Sequence, residues 1–448
     1  MSTETTDICI IGAGISGLSL AAFASVHSRV CVLETAPVVG GILSKTQSDE
    51  HLFDHAANGW LDNEPSVHEL IDLIGASDQV LPANTHKGTR YLVHHNQLHA
   101  LSPKLLFTST PLISWSGKFR ALLEIFKGHQ IEPEPSMTEV IQQRFGSAVV
   151  DNFVAPMCAG IYASPPEQIS VPAAFPRFWQ QLEQGSLIRQ ILGRLLKRNQ
   201  PPPKLTSLSQ GTGDLCVRIA QYLEDNGHLI HTESPATQIA YENQQWIITT
   251  PKQTIRANKL ALTCPASIQS QLLSNNAPDI SQQLADIQYA PVVVVLLQFN
   301  RDEFTVPPSG FGALLTREEQ QSGLLGILFT SHLYPTRFPR STVATRSILG
   351  GAIAPDMIHL TDLELQEIVL TKHRILFDSP NANPSFVQVI RWPKGIPQYT
   401  VGHQTRQHAI HNFHQQNPHI RLSGNHIFGV SIKDCIRIGR EHANDFQP

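Results

Sequence analysis

The order of residues from 7 to 41 constrains this chain more than anything else in it. Asp7 to Ile11 reads as a buried strand, apolar from Ile8 onward with three β-branched isoleucines. Gly12-Ala13-Gly14-Ile15-Ser16-Gly17 turns that strand into a helix, and Arg29 to Leu33 is a second strand closed by Glu34. In a βαβ unit the first glycine permits the tight turn, the second lets the backbone approach a pyrophosphate, and the third lets helix and strand pack closely. The helix N-terminus adds free N–H groups and a partial positive charge. Glu34 follows Gly14 by twenty residues, where a carboxylate can accept hydrogen bonds from ribose hydroxyls. Glycine-rich turns are common, but strand, turn, helix, strand and acid in register are not. The unit is expected to bind an adenine dinucleotide.

Gly40-Gly41, just past the second strand, favours FAD over NAD, because a second glycine pair lets the chain pass close to an extended cofactor. Gly12, Ala13, Gly14, Ser16, Gly17, Glu34, Gly40, Gly41 and Ile42 are the expected FAD-binding residues of this region. No second fingerprint is present. Gly211-Thr212-Gly213 resembles half of one, but polar Ser207 to Gln210 precede it and Cys216 stands where a glycine belongs, so a helix-entry turn competes with a phosphate loop. Without a nicotinamide site, the flavin is expected to be reduced by the substrate itself and reoxidised by oxygen or a quinone.

At 448 residues, two or more domains are expected from a prior of ~150 residues each. A net charge of −4 argues against a dedicated nucleic-acid binder. The six cysteines form no CxxC pair, which suits free thiols better than disulfides or a metal. The first strand starts so early that no cleavable leader is expected. The longest apolar run, Ala290 to Leu297, is far below the roughly 20 residues of a spanning helix. A cytoplasmic protein is expected, with peripheral contact to the inner membrane left open.

Along the chain, 66–76 reads as an amphipathic helix and 89–101 as a hairpin turning at His95-Asn96-Gln97. Residues 103–200 are helical in pattern, up to the Pro201-Pro202-Pro203 break. Asp214–Asn226 is an expected helix. His228–Ile230, Thr237–Tyr241, Trp246–Thr250, Lys259–Thr263 and 289–299 are expected strands. Thr361 followed by Glu364 forms a capping box for a helix to Phe377. His408, His411 and His414 could share a helix face for a metal, but their glutamine-rich surroundings suit a solvated face and no metal is expected. Ser186–Arg198 is basic and amphipathic, either covering its own domain or lying on anionic lipid.

The chain resembles the protoporphyrinogen oxidase family along nearly its whole length. The matching stretches include Arg90-Tyr91-Leu92, Gly160-Ile161-Tyr162-Ala163, Gly310-Phe311-Gly312, Leu325-Gly326, Ile396-Pro397-Gln398-Tyr399, and Gly429-Val430-Ser431-Ile432-Lys433-Asp434-Cys435-Ile436. The resemblance implies an α/β plus α+β protein similar to monoamine oxidase. A Rossmann-type FAD-binding domain would be built from discontinuous segments (1–86, 206–275 and 418–448). A mixed-sheet substrate domain (87–95 and 276–417) and an inserted helical region (96–205) would complete it. It implies oxidation of protoporphyrinogen IX to protoporphyrin IX with oxygen, in heme biosynthesis. Coproporphyrinogen III oxidation, a flavin amine oxidase or desaturase, and a non-catalytic FAD-binding protein are the alternatives.

By the same resemblance, Ala56, Asn58, Gly59, Ala236, Val430, Ser431 and Ile432 would meet FAD. Arg90 would pair a propionate, while Phe311, Gly312, Leu314 and Ile348 would pack the macrocycle. Read alone, Phe311 and Leu314 would be core and Arg90 a surface charge. No general acid or base stands out, which suits hydride transfer to a flavin. Three departures, at Val38, at Ala56-Ala57 and at Gln210-Gly211-Thr212, suggest a divergent member with weaker flavin retention. Porphyrinogen and oxygen are the expected partners, with contact to neighbouring heme-pathway enzymes open and the state a monomer or homodimer.

Overall fold

The computed structural model describes residues 2–84, 88–102, 108–126, 133–190 and 203–447. The chain divides into two compact units, Met1–Ala83 with Pro203–Gln288 and Thr405–Pro448, and Asn84–Pro202 with Tyr289–Gln404. The helical stretch and the second sheet thus share one unit, where three parts were expected. Residues 276–288 and 405–417 join the dinucleotide unit. Ser281 Oγ donates to Ser270 O at 2.8 Å, and Gln407 Nε2 donates to Ile427 O, which ties both stretches there.

In the first unit, strands β1 (Ser2–Ile11), β2 (Val30–Leu33), β10 (Leu229–His231), β13 (Gln253–Leu262) and β19 (Ile420–Leu422) run parallel; strands are numbered along the whole chain. β12 (Gln245–Thr249) and β11 (Gln238–Glu242) extend the sheet antiparallel. β1 is longer than expected, because its first half pairs with Gln253–Ala257 of β13. Small sheets of β3 (Lys45–Gln47) with β4 (Leu52–Asp54), and of β5 (Trp60–Leu61) and β6 (Val80–Pro82) on β9 (Leu205–Leu208), complete the unit. Register places Ile11 beside Leu33 and Leu262, Leu33 beside His231, and Leu262 beside Leu422. The carboxyl ends of five parallel strands therefore form one edge, where open α/β sheets bind their ligands.

Helix Ile15–Ser25 is buried from Ile15 to Ala24. It is rich in Gly, Ser and Ala because neighbours close in on every side. Helix Gly213–Asp225 and the C-terminal helix Ile432–Asp445 share its core.

The second unit is built on a seven-stranded sheet in the order β18 (Phe386–Pro397), β14 (Tyr289–Asn300), β17 (Thr342–Gly350), β16 (Leu324–Leu328), β15 (Gly312–Leu315), β7 (Arg90–His94) and β8 (Gln97–Ala100). The β7–β8 hairpin turns at His95 and Asn96, whose left-handed φ of 49° and 58° the two-residue loop requires. One face, with Val93, Val293, Val295, Ala313, Leu315 and Ile327, packs on helix Asp362–Leu376. Its Thr361–Glu364 capping box forms as expected.

Among the helices of 103–190, Glu124 is the anchor. Its buried carboxylate accepts from Arg144 Nη1 (2.9 Å), Ser186 Oγ (2.7 Å), Leu187 N (2.9 Å) and Ile188 N (3.1 Å). Burial alone would raise this carboxyl's pKa; the four donors outweigh burial and hold it below its ordinary value. Ser186 opens the expected basic helix, of which 191–198 lie outside the described residues, as do Pro201 and Pro202.

Candidate functional site

The three fingerprint glycines meet three different surroundings. A Cβ on Gly17 would lie 2.0 Å from Gly12 O and 2.5 Å from Thr263 Oγ1, so helix and strand touch there. Gly12, at φ +112°, would place a Cβ 2.9 Å from Thr263 Oγ1. Gly14 has an ordinary φ of −77° and nothing within 4 Å of a built Cβ. No protein contact demands glycine at position 14, so it leaves an open cradle at a helix N-terminus, the space a pyrophosphate would fill. Gly40 pairs with Gly14 as a parallel bridge and donates to Ala13 O at 2.8 Å, so the second glycine pair is docked on the first. A Cβ on Gly41 would lie 3.4 Å from Gly14 Cα, and Ile42 beside it is exposed.

Glu34 is held by two backbone donors, Ala13 N to Oε2 at 2.7 Å and Ala36 N to Oε1 at 2.8 Å. Each oxygen keeps a further lone pair for a ribose hydroxyl. Ser234 N donates to Glu34 O at 2.8 Å, which brings the loop holding half-buried Ala236 alongside. Val38 is 68% exposed.

The C-terminal GVSIKDCI stretch has a local explanation at most positions. Asp434 folds back so closely that a Cβ on Gly429 would sit 2.5 Å from its Cβ. Ser431 caps the helix by accepting from Asp434 N at 3.3 Å. Ile432 and Ile436 enter the core, and Cys435 Sγ turns toward Gly429 O. Cys435 also bonds Ser16, and a Cβ on Gly439 would lie 2.5 Å from Ser19 Oγ. Ser16 beside Cys435 and Ser19 beside Gly439 mean that helices Ile15–Ser25 and Ile432–Asp445 run parallel. Their positive N-termini therefore open at the same end, Gly14 at one and half-buried Val430 and Ser431 at the other. The residues present fit FAD.

Sequence reading missed the pair that closes this site's side. Asp54 Oδ1 accepts from Thr212 N (2.7 Å) and Thr212 Oγ1 (3.0 Å), and Thr212 Oγ1 also reaches Ala57 O at 2.9 Å. The departures at Ala57 and Thr212 therefore meet each other and fix the loop carrying Ala56, Asn58 and Gly59. Gly213, whose built Cβ would be 2.6 Å from Leu43 O, opens helix Gly213–Asp225, so the helix-entry reading of 211–213 holds. Burial pushes the Cys216 and Cys264 thiols up to about 12 and Cys435 up to about 11, leaving no ready nucleophile among them. His408 and His411 are exposed while buried His414 takes the Leu422 N–H at 2.9 Å, so the three do not converge.

In the second unit, Leu92, Leu314, Gly326, Ile348 and Val294 form one row across the sheet, on the face opposite helix Asp362–Leu376. Leu314 and Ile348 are half-buried among buried neighbours and lie two strands apart, about 10 Å. Gly326 between them has no side chain and makes room for Leu314, whose Cδ2 would lie 3.0 Å from a Cβ there, so the row is a shallow apolar strip with glycine at its centre. Gly160 lies against it, since a Cβ there would sit 2.8 Å from Leu314 Cδ2. The next row on the same face holds Arg90, Gly312, Leu328 and Arg346. Exposed Arg90 lies over the Phe311 ring, 5.0 Å from its centroid. Gly312, at φ +151°, would place a Cβ 2.4 Å from Ile327 O, and Phe311 N donates to Thr89 O at 2.9 Å, so the ring is held in place. Gly160 and Gly326, both inside the family-like stretches, were not singled out from the sequence, and both make room for Leu314. The IPQY stretch is structural: Gln398 Nε2 donates to Tyr162 O, and Tyr399 O accepts from Ser170 N, both at 2.9 Å.

The fold and the glycine cradle define a dinucleotide-binding flavoprotein. Residues 15–446 match the family model described as flavin containing amine oxidoreductase, and the chain belongs to that family of FAD-dependent oxidoreductases. Mitochondrial protoporphyrinogen oxidase of Nicotiana tabacum is 26% identical, covering 96% of this chain and 93% of that protein. Coproporphyrinogen III oxidase of Bacillus subtilis is 25% identical, covering 99% and 98%. Among solved structures, a protein of Exiguobacterium sp. 255-15 superposes with a TM-score of 0.83 at 23% identity, covering 99% and 98%. Cyclohexylamine oxidase of Brevibacterium oxydans gives 0.70 at 17%, covering 98% of each chain.

Proposed function

We propose that this chain oxidises a porphyrinogen to a porphyrin by repeated two-electron steps, with protoporphyrinogen IX as substrate and oxygen as final acceptor. The observation that carries the reading is the apolar, glycine-centred row Leu314–Gly326–Ile348 with Arg90 one row away on the same face. A flat, apolar macrocycle edged with carboxylates calls for such a strip and a cation at its margin. Full-length similarity to enzymes named for both porphyrinogens supports it. FAD, when bound, supplies the two-electron acceptor. Gly14, Gly40 and Gly41 would line its pyrophosphate, Glu34 its ribose, and the N-terminus at Ser431 would favour negative charge beside it. Ala56, Asn58, Gly59 and Ala236 belong to the same proposed set. Arg90 would orient the substrate by pairing a propionate, and Phe311, Leu314 and Ile348 would exclude water from its face.

Coproporphyrinogen III is the second reading. It carries two more carboxylates; Arg346 stands in Arg90's row but is buried, so full-length similarity to the coproporphyrinogen III oxidase of Bacillus subtilis is what favours this reading. The test is to incubate the FAD-loaded protein with each porphyrinogen in air and follow porphyrin fluorescence and peroxide. The higher kcat/KM decides between them, and no porphyrin from either would end both readings.

We place the protein in the cytoplasm with peripheral membrane contact. No helix among the described residues is long and apolar enough to cross a membrane. Trp115, Phe119, Leu122 and Phe126, spaced along one helical face, are 61%, 67%, 59% and 78% exposed. Vesicle co-sedimentation lost in a Phe119→Asp, Phe126→Asp double variant would support contact there; unchanged sedimentation would reject it.

A further inference from the structure

Outside the cofactor site, three metal-ligating side chains, Glu4, Cys31 and His231, converge from segments far apart in sequence, with Cys9 beside one of them. Cys9 and Cys31 are direct partners across β1 and β2, both fully buried, and their thiols share a hydrogen bond. His231 ends β10, the next strand over, and its Nε2 lies 2.9 Å from Glu4 Oε2. A straight strand would leave Glu4 about 16 Å from Cys9, five residues at ~3.3 Å each. The contact therefore requires β1 to bend, and the bend falls where Asp7 N and Ile8 N both donate to Arg29 O at 3.1 Å. It brings the Glu4 carboxylate over the sheet, so that a carboxylate oxygen of Glu4, the Cys31 sulfur and a His231 ring nitrogen all lie within 4.8 Å of one another.

A tetrahedral zinc shell with Zn–S of about 2.3 Å and Zn–N or Zn–O of about 2.0–2.1 Å sets its ligand atoms roughly 3.3–3.8 Å apart. For Glu4, Cys31 and His231, closing on an ion therefore asks for shifts of about 1 Å in side-chain tips, and Cys9 has to turn further from its place beside Cys31 to complete the shell. Thiolate, imidazole and carboxylate together are a borderline-soft set, unlike the all-oxygen shells that calcium and magnesium take. The Glu4 and His231 side chains are 22% and 29% exposed, which leaves an entry path. The second such group, His94, His95 and Glu318, lacks sulfur and lies at the exposed β7–β8 turn.

We propose that Glu4, Cys31 and His231, with Cys9 as fourth donor, form a closed, structural site for a zinc-class divalent ion. The ion pins β1, β2 and β10 together next to Glu34, whose N–H already donates to His231 O at 2.9 Å. The strands that present the fingerprint and the ribose carboxylate are thus held by one ion.

The test uses FAD-loaded protein equilibrated with micromolar Zn2+, dialysed, and measured for zinc content and X-ray absorption at the zinc edge, both independent of the flavin. One zinc per chain, with two sulfur neighbours and the remainder nitrogen or oxygen, is expected. Cys9→Ser should leave one sulfur, and His95→Ala should change nothing. Even outer-shell partners of a metal are worth about 10–100-fold in affinity, so Glu4→Gln should weaken binding at least about tenfold. Glu4 is part-exposed, so that variant keeps the test open should Cys31→Ser fail to fold. No retained zinc, a sulfur-free shell, or zinc lost with His95→Ala would overturn the proposal.

Discussion

Gly14 and Gly17 are three residues apart in one fingerprint, yet the structure predicts opposite defects for Gly14→Ala and Gly17→Ala. At Gly14, φ is −77° and a methyl would meet nothing within 4 Å. The apoprotein should tolerate it. Alanine is a poorer helix N-cap by up to about 1 kcal/mol, and a loss of unfolded-chain entropy offsets that by a similar ~0.4–1 kcal/mol. The same methyl stands where the pyrophosphate must approach. Losing one charge-assisted backbone bond there costs about 1.5–3 kcal/mol, or roughly 10–150-fold in FAD affinity. At Gly17 the methyl would lie 2.0 Å from a backbone oxygen, so strand and helix must separate by more than 1 Å. Overpacking of this kind costs about 1–3 kcal/mol or more, a Tm loss of roughly 2–12 °C for a unit of this size. Thermal melts of the two apoproteins and fluorescence titration with FAD measure both quantities. A Gly14→Ala protein that binds FAD like wild type, or a Gly17→Ala protein with an unchanged Tm, would refute the reasoning.

Arg90→Ala should raise KM for the porphyrinogen about tenfold with little change in kcat, from loss of a charged hydrogen bond of ~1.5 kcal/mol; steady-state kinetics with unchanged KM would remove the propionate pairing. Gly326→Val puts a side chain at the centre of the strip, its Cβ 3.0 Å from Leu314 Cδ2. It should lower kcat/KM at least about tenfold while FAD content stays full, and activity near wild type would show that this row does not meet substrate. Glu124→Gln leaves Arg144 buried without its carboxylate, at a cost of about 3–5 kcal/mol, read by chemical denaturation. Because the folded Glu124 pKa lies below its unfolded value, its contribution is complete above the unfolded value and is lost as pH falls through the folded one. Wild type should therefore lose stability on acidification more steeply than the variant; parallel curves would count against Glu124.

Sequence by itself determined the elements whose causes are local. A glycine turn between apolar strands, a capping box at Thr361 and an acid one strand later act through neighbours a few residues away, so the cofactor class and the βαβ unit were legible. The roles within the fingerprint were only half legible: composition says glycine at 12, 14 and 17, but only the fold shows that 17 meets protein and 14 meets open space. The family-like stretches marked Gly160, Gly326, Gln398 and Asp434 without saying what they touch.

Tertiary structure alone decided the rest, because register and strand order join residues that no local rule relates. Asp54 finds Thr212 across 158 positions and Glu124 finds Ser186 across 62. Leu314, Gly326 and Ile348 become one strip only because β15, β16 and β17 pair in that register. Glu4 reaches His231 only because β1 bends at Asp7. A sequence read residue by residue carries period and propensity, but the pairing free energy of distant strands is a property of the assembled sheet.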